Sequence, residues 1–588
     1  MEGMFALELW LAGRLLLHAS ARISQHCGEA EISQDGLRIK AGAWQPAKWI
    51  GWGLDRMGSM TALFALAAGA IVAGWAWLGA EVQLPPSPLA AGEKVHCLSY
   101  APFRGDQDPF GPDVPVDPEQ ISEDLAQLKA VSDCVRTYAV DHGLDRIAEI
   151  ASRHGMKVIQ GQWLSSKPER NRKQIETTVE LAKRFPETIT SVIVGNEVLL
   201  RGEMSARDLA RTIAEVRSRV SMPVTYADVW EYWLRYREIA AEVDFITIHI
   251  LPYWEDFPIA SRDAASHVDA IRRQVLAAYP GKEIFVGEFG WPSAGRMREG
   301  ALPSPADQAR AMQETLAFAK RGGYRLNLME AYDQPWKRQL EGTVGGHWGL
   351  FDGARRTAKF AWGETVSNHP RWRWQAAGGI ALAAAAFAAA LITARQTGLA
   401  ANPGLWLRVA AIAAVSGTLI GWSVENVPLE SLGLGGWLRS LAWASVALLS
   451  PILAAAALGA RKQVPTFARI LGRASAPPLR GLELATGVLL IALTLLALPA
   501  ALGLVFDPRY RDFPFAALTA ATVPLVLLAT WRLHPKAPTA ERVMAAALAS
   551  SAVYIVINEG LANWQAFWFA AALAALALTL LRAQAAPD

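Results

Sequence analysis

The stretch TSVIVGNE (190–197) decides the fold, because it is an apolar run of strand length that ends on an amide and a carboxylate. Seven further segments of this kind are VHCLSYAPF (95–103), CVRTYAV (134–140), KVIQGQWL (157–164), PVTYADV (223–229), DFITIHIL (244–251), EIFVGEF (283–289) and RLNLMEAY (325–332). Helical patterns separate them, and eight β/α repeats in about 275 residues match the size and order of a barrel. An open doubly wound sheet would need a Gly-rich phosphate loop after an early strand, and the sequence has none. The sequence therefore predicts an α/β fold, a (β/α)8 TIM barrel over residues 93–370.

Long apolar runs flank this block. Hydrophobic residues make up 52% of the 588 residues and charged ones 19%, against about 25% charged in soluble chains. Runs long enough to cross about 30 Å of hydrocarbon stand at 61–80, 374–394, 405–423, 437–460, 482–506, 515–532, 543–557 and 564–582. The runs 405–423 and 543–557 are the weakest, so seven or nine crossings stay open. We predict a signal-anchor helix and linker over 57–92, with a cleaved signal peptide as the alternative, and an all-α transmembrane domain of about seven helices over 371–588.

The charges of the loops predict how this chain would sit in a membrane. The loops 461–480 and 532–542 are rich in Lys and Arg, which places them in the cytoplasm by the positive-inside rule. The barrel then lies outside the cytoplasm, which predicts an inner-membrane protein whose barrel faces the periplasm. Glu425, Glu430 and Glu559 are expected to be solvated loop charges. Residues 1–56 show no sustained hydrophobic periodicity, so we expect them to be a disordered segment or the product of a mis-assigned start codon.

Composition also excludes several classes of ligand. The net charge is +3, and no stretch dense in Lys and Arg is interleaved with aromatic residues, so nucleic acid is not expected as a partner. No Cys/His cluster has the spacing of a zinc site, and we predict no metal and no cofactor. Cys97 and Cys134 lie on neighbouring predicted strands. They either form a disulfide in an oxidising compartment or remain two buried thiols, and both alternatives stay open.

The ends of the predicted strands carry the candidate site, because a (β/α)8 barrel assembles its active site there. Glu197 and Glu288 end apolar strands, where burying an acid is costly without a partner or a function. Two carboxyl groups about 5 to 5.5 Å apart can cleave a glycosidic bond with retention, one as acid/base and one as nucleophile. Candidate substrate-binding residues at the same strand ends are Tyr100, Arg136, Tyr138, Asn196, Tyr253, Trp291, Glu330, Trp336 and Lys337. Arg136 is alternatively a structural ion-pair partner, and His249 is expected to be a hydrogen-bonded strand residue.

Four motifs in this order resemble glycoside hydrolase family 17. They are VIVGNEVLLRG (192–202), FVGEFGWPSAG (285–295), MEAYDQPWK (329–337) and HWGLFD (347–352). The resemblance spans about residues 93–365 and implies a clan A retaining β-glucanase or β-1,3-glucanosyltransferase on a (β/α)8 barrel. It implies Glu197 as acid/base, Glu288 as nucleophile and Asn196 beside the scissile bond. It also places Tyr253, Trp291 and Lys337 in the cleft.

A family 17 barrel joined to a multi-span tail resembles bacterial β-(1-6)-glucan synthases. That resemblance implies a membrane-anchored glucanosyltransferase that makes β-1,6 or β-1,3 linkages through a covalent glucosyl-enzyme. The alternatives are an anchored endo-β-1,3-glucanase and a non-catalytic component that binds or exports glucan. Expected partners are a β-glucan chain, the lipid bilayer, and a glucan synthase or export protein.

Overall fold

The computed structural model describes residues 47–111, 115–354, 356–472, 478–529 and 538–583. Residues 1–46, which form most of the segment predicted to be disordered or mis-assigned, lie outside the described residues. The first described helix, α1 (Ala47–Leu78), contains the apolar stretch Gly58–Leu78. It leads into the short strand β1 (Glu81–Gln83).

Eight parallel strands close into a barrel in chain order, which confirms the predicted TIM fold. They are β2 (Cys97–Ser99), β3 (Cys134–Arg136), β4 (Lys157–Gln162), β5 (Ile189–Asn196), β6 (Val224–Val229), β7 (Ile246–His249), β8 (Ile284–Phe289) and β9 (Leu326–Leu328). The last strand pairs with the first, Leu328 opposite Leu98, so the sheet has no free edge. Seven of these strands lie within the segments named from the sequence, and β5 begins at Ile189, one residue before its segment.

Helices surround the barrel as α2 (Pro118–Leu128), α3 (Ile147–Arg153), α4 (Pro168–Arg184), α5 (Ala206–Arg219), α6 (Trp230–Arg235), α7 (Ser261–Ala278), α8 (Pro305–Gly322) and α9 (Arg338–Glu341). The first of them shows why they form. Asp117 accepts a hydrogen bond from the Glu119 N–H at the helix start, and Pro118 occupies the first turn. Ile121, Leu125 and Leu128 bury the face that packs on the strands.

The end of the barrel that holds the N-termini of the strands is apolar and cross-linked. Cys97 and Cys134 form a disulfide between β2 and β3, which decides between the two alternatives left open by the sequence. Ile159, Phe245 and Phe285 are in the same buried cluster. We call this layer the floor of the barrel and the opposite end its mouth.

In the described part of the tail, seven apolar helices and one short turn of helix form a bundle. They are α10 (Trp372–Thr397), α11 (Pro403–Glu430), α12 (Gly433–Gly459), α13 (Phe467–Ile470), α14 (Gly481–Phe506), α15 (Phe515–Leu528), α16 (Thr539–Glu559) and α17 (Trp564–Arg582). With Gly58–Leu78, seven helices of the described residues are long and apolar enough to cross a membrane. The run predicted over 515–532 is the shorter helix Phe515–Leu528 of 14 residues.

The barrel and the tail are joined by a small sheet. β1 pairs antiparallel with β10 (Thr365–Ser367), so the segment that enters the barrel and the one that leaves it lie side by side. The Ser367 hydroxyl donates to the Gly79 carbonyl at the end of α1. The Trp75 indole N–H donates to the Thr418 carbonyl, which ties α1 to α11.

Loops at the mouth also rest on the tail. After β8, Arg296 forms an ion pair of 2.5 Å with Glu559. After β9, Thr343 donates to Asp512 at 2.6 Å, and Arg338 donates to the Leu429 carbonyl at 2.6 Å. The expectation that Glu559 is a solvated loop charge is wrong, because it is buried in this interface.

Glu425 is also paired, with His369 at 2.7 Å, and the expectation of a solvated charge is wrong for it too. These contacts bring the barrel-facing ends of the tail helices against one side of the mouth. Two acids that the sequence predicts to be loop charges, Glu425 and Glu559, are therefore paired residues where the tail meets the rest of the chain.

Candidate active site

Glu197 stands directly after β5 on a turn that depends on glycine. Gly195 has a φ of 90° and Glu197 a φ of 52°, both in the left-handed region. A Cβ on Gly195 would lie 2.7 Å from Val198 and 3.3 Å from Leu164, so no side chain fits there. The N–H of Glu197 donates to the Ala227 carbonyl at 2.8 Å, which holds the turn at the mouth.

Glu288 is positioned by an irregularity in the sheet. The register between β7 and β8 shifts between Ile248 and His249, so that His249 lies opposite Glu288. A register shift changes which side chains point inward. A Cβ on Gly287 would lie 2.2 Å from the Thr247 methyl group, so Gly287 leaves the space that this arrangement needs.

The two carboxylates face each other with His249 between them. One oxygen of each carboxylate and a nitrogen of His249 lie within 4.8 Å of one another. His249 Nδ1 is 2.9 Å from Glu197 Oε1, and its Nε2 is 3.5 Å from Glu288 Oε1. The sequence-based expectation made His249 a strand residue with a hydrogen bond. The structure places it in the centre of the candidate site.

Arg136 completes the arrangement from β3. Its guanidinium donates to Glu288 and, at 2.5 Å, to the side-chain oxygen of Asn196. It also lies 4.2 Å from the ring centre of Tyr138. All of these atoms except part of Tyr138 are buried. Arg136 is thus an ion-pair partner of Glu288, and its role in binding substrate stays a prediction.

The charges around Glu288 favour its ionised form. Burial favours the neutral acid, but electrostatic interactions with His249 and Arg136 outweigh it and lower the pKa of Glu288 to about 2. A carboxylate that stays ionised is suited to nucleophilic attack. The neighbouring Asp228 behaves in the opposite way, because burial raises its pKa to about 6.

Glu197, His249 and Glu288 could by type and spacing hold a metal ion. However, the Arg136 guanidinium already donates to Glu288 and approaches His249 Nε2 at 3.4 Å. A cation bound to these atoms would sit against that guanidinium and be repelled by it. The arrangement therefore suits proton transfer and nucleophilic attack by a carboxylate better than it suits binding of a metal ion.

Two further predicted residues form a pair beside this centre. Lys337 Nζ lies 3.0 Å and 3.1 Å from the two oxygens of Glu330. Burial raises the pKa of Glu330 to about 7, although Lys337 acts against this. Tyr138 donates to the Ser99 hydroxyl at 2.9 Å on the same side of the mouth.

Three predicted residues are not brought to the mouth. The Tyr100 hydroxyl donates to Asp124 of α2, outside the ring of strands. Tyr253 donates to the Arg296 carbonyl and Trp291 to the Leu302 carbonyl, and both are fully buried. These aromatic rings support the loops of the mouth and present no open face for a sugar.

An aromatic rim lies at the mouth around the loop after β2. Phe110 is 56% exposed, and its ring centre is 5.6 Å from Trp336 and 6.3 Å from Trp163. Of these three, only Trp336 is among the substrate-binding residues predicted above. Phe110 lies in a loop after β2, and a loop position carries no strand signal that could have identified it.

Residues 97–349, the whole barrel, match the BtgE/BtgC glycoside hydrolase domain family. The chain is similar to a glucan 1,3-beta-glucosidase of Candida albicans, 26% identical over 260 residues, covering 40% of this chain and 84% of the relative. A glucan 1,3-beta-glucosidase of Saccharomyces cerevisiae is 25% identical over 250 residues, covering 39% and 80%. Among solved structures, the family 17 β-1,3-glucanosyltransferase of Rhizomucor miehei is 24% identical with a TM-score of 0.39, covering 45% of this chain and 98% of that one.

Proposed function

We propose that this chain, whose barrel is a glycoside hydrolase domain of the glucan 1,3-β-glucosidase and glucanosyltransferase type, is a membrane-anchored retaining β-glucan transglycosidase. It transfers glucosyl chains to form β-1,6 or β-1,3 linkages. The observation that carries this proposal is the pair Glu197 and Glu288, whose nearest oxygens lie within 4.8 Å of each other.

The separation of the carboxylates supports retention. Retaining glycosidases hold their two carboxyl groups about 5 to 5.5 Å apart, whereas inverting enzymes leave about 6.5 to 9.5 Å for a water molecule. Glu288 attacks the anomeric carbon while the glycosidic C–O bond breaks, and Glu197 gives its proton to the leaving oxygen. An acceptor hydroxyl then returns its proton to Glu197 as its oxygen displaces Glu288.

His249 and Arg136 have different parts in these steps. Arg136 keeps Glu288 ionised and oriented through its contact with the carboxylate. His249 hydrogen-bonds Glu197 and approaches Glu288, so it links the proton-carrying and the attacking group. Asn196, held by Arg136 at 2.5 Å, is beside Glu197 and can bind a hydroxyl of the sugar.

The aromatic rim favours transfer to a second saccharide. Phe110 is exposed, and its ring lies beside those of Trp163 and Trp336 at the mouth. Aromatic faces are a common platform for pyranose rings. An acceptor that is held by stacking competes with water for the glucosyl-enzyme. Transfer then outruns hydrolysis.

Two observations support anchoring with the barrel outside the cytoplasm. The Cys97–Cys134 disulfide is typical of an oxidising compartment such as the periplasm. The helix α10 starts near the barrel and ends at Thr397, whose hydroxyl donates to the Gly459 carbonyl at the end of α12. Arg461 and Lys462 follow α12 directly, so they lie at the end of the bundle that is away from the barrel. Positive loops at that end suit the cytoplasmic face of a bacterial inner membrane.

Hydrolysis is the second candidate. The named relatives from Candida albicans and Saccharomyces cerevisiae are glucan 1,3-beta-glucosidases. In hydrolysis, water takes the place of the acceptor and displaces Glu288 from the glucosyl-enzyme. The two candidates share the first chemical step and differ in the acceptor.

The test is to incubate the full chain with reduced laminari-oligosaccharides and to follow product mass and linkage. Products longer than the donor support transglycosylation, and their linkage names the bond formed. Only shorter products support hydrolysis. Glu288→Gln should abolish both. Glu283→Gln, an exposed acid just before the same strand, is the matched control and should behave as the wild type. Turnover that survives in Glu288→Gln would sink the proposal.

A further inference from the structure

A second large cavity lies between the barrel and the tail. Its volume is about 730 Å³. Its walls are the loop 338–343 after β9 and the barrel-facing parts of α11, α12, α14 and α15. Glu197, Glu288 and Arg136 do not line it, so it is distinct from the candidate active site.

The charges that line this cavity balance. Arg338, Arg439 and Arg511 face the cavity, and so do Glu430, Asp507 and Asp512. Several of these groups are already tied to neighbours. Asp512 accepts from Thr343 at 2.6 Å, and Arg338 donates to the Leu429 and Ser431 carbonyls. An ion of either sign would meet lining groups of its own sign, whereas a neutral ligand can use the same groups as hydrogen-bond partners.

The lining also offers hydrogen-bond donors and acceptors side by side. Asn426 donates to Glu430 at 2.8 Å, which leaves its side-chain carbonyl as an acceptor. The Nε of Arg338 is buried without a hydrogen-bond partner among the described residues. A buried donor without a partner is costly, and a hydroxyl-bearing ligand would satisfy it.

The deeper part of the cavity is apolar. Trp443, Leu495 and Pro499 line it. Trp443 is ten residues into α12, which begins at Gly433. At a rise of 1.5 Å per residue the cavity reaches about 15 Å into the bundle. An aromatic ring below a layer of amides and balanced charges is a common lining for sugar rings.

We propose that this cavity is a saccharide-binding site that holds a β-glucan chain, or the sugar headgroup of a membrane glycolipid, next to the mouth of the barrel. The inference rests on the proposed function for the identity of the sugar. The link to the mouth is short, because Lys337 pairs with Glu330 at the active site and the next residue, Arg338, forms the wall of the cavity. A chain held there is placed to reach the mouth from the tail side.

The test uses the full chain in phospholipid nanodiscs, in a Glu288→Gln background that prevents turnover. Titration with a β-1,3-linked glucose oligosaccharide, followed by calorimetry, counts binding sites. Discs doped with a glucosyl diacylglycerol, followed by the thermal midpoint, test the lipid source. The cavity variants are Asn426→Leu and Arg439→Met. Arg395→Met, an exposed arginine at the far end of α10, is the matched control.

The proposal expects one of two results. Either the oligosaccharide binds at two sites per chain, or the glucosyl lipid raises the thermal midpoint. In each case Asn426→Leu should weaken the effect about tenfold, as loss of one or two hydrogen bonds implies, and Arg395→Met should not.

One oligosaccharide site with no response to the lipid, or responses equal in the cavity variants and in the control, would overturn the proposal. Turnover of the wild type is measured separately. A chain that turns over but shows no second site refutes the cavity proposal alone, and a chain that binds at the cavity without turnover refutes the proposed function alone.

Discussion

The floor and the mouth of the barrel are built from the same strands and have opposite chemistry. On β3, Cys134 belongs to the floor and forms the disulfide, while Arg136, two residues later, contacts Glu288 at the mouth. The floor cluster is otherwise apolar. At the mouth, Arg136, His249 and Glu288 are all buried, although burying charges costs free energy. Groups that stabilise the barrel are thus concentrated at one end of each strand, and the candidate catalytic groups at the other.

The largest expected effect is at the mouth. Arg136→Met removes the positive charge that holds Glu288 ionised, so we expect kcat/KM to fall about 10²- to 10³-fold, as for loss of one charge-stabilising donor. The pKa of Glu288 should rise from about 2 by about 1 to 3 units. The acid limb of the pH profile should therefore move to higher pH.

The control for that variant is at the other end of the barrel. Arg325 contacts the rings of Phe245 and Phe285 in the floor. Arg325→Met should leave kcat/KM and the acid limb unchanged. Equal changes in both variants would show that the two ends are not chemically separate.

The next effect is at the floor. Cys134→Ser opens a disulfide whose cysteines are 37 residues apart, and we expect a loss of about 2 to 4 kcal/mol in the free energy of unfolding. The catalytic rate constant should not change at temperatures where the protein is folded. Thermal unfolding with and without reductant checks this, because reductant should destabilise the wild type and leave Cys134→Ser unaffected. A large loss of kcat in the folded variant would contradict the comparison.

A smaller effect is expected for Glu330. Its folded-state pKa is raised from 4.5 to about 7, so the folded protein binds a proton that the unfolded chain has released between these values. The free energy of unfolding should then fall as the pH rises through this window, by about 3 kcal/mol at about 1.36 kcal/mol per unit. Glu330→Gln should remove this fall. Denaturation curves across the window measure it, and an unchanged slope in the variant would rule out Glu330 as its source.

The smallest effect concerns the layer between the two ends. Gly287→Ala places a methyl group 2.2 Å from the Thr247 methyl group, and overpacking of this kind costs about 1 to 3 kcal/mol. Thr247→Ser removes that methyl group and keeps the hydroxyl that bonds Thr225. The double variant should recover most of the loss. Additive losses in a double-mutant cycle would show that the two groups do not collide.

The barrel could be predicted because each strand has a local apolar pattern in the sequence. Segments such as TSVIVGNE combine a buried apolar run with a polar end, and the eight predicted segments contain the strands of the closed barrel, except for the first residue of β5. The catalytic candidates Glu197 and Glu288 were visible for the same reason. Bilayer-length runs likewise identified the helices of the tail, except that 515–532 is a shorter helix.

The rest depends on contacts between distant residues. The central place of His249 follows from a register shift between β7 and β8, which no strand pattern encodes. Tyr253 and Trp291 lie at strand ends in the sequence, yet the backbone turns both inward beneath the loops. The pair Arg296 and Glu559 joins the barrel to the tail, and neither residue carries a local sign of its partner.

The Arg296–Glu559 pair and its neighbours make the mouth asymmetric, because the tail covers one side of it. Loops after β8 and β9 contact the tail. The ring centre of Trp254, after β7, lies 5.9 Å from that of Tyr510 in the tail. The rim at Phe110 is exposed. Under the proposed membrane anchoring, the side of the mouth that rests on the tail lies toward the lipid, and a polymer would reach the site from the side of Phe110. The proposed glucan substrate would then be found by a two-dimensional search, which favours chains that are already spread along the membrane over those free in solution.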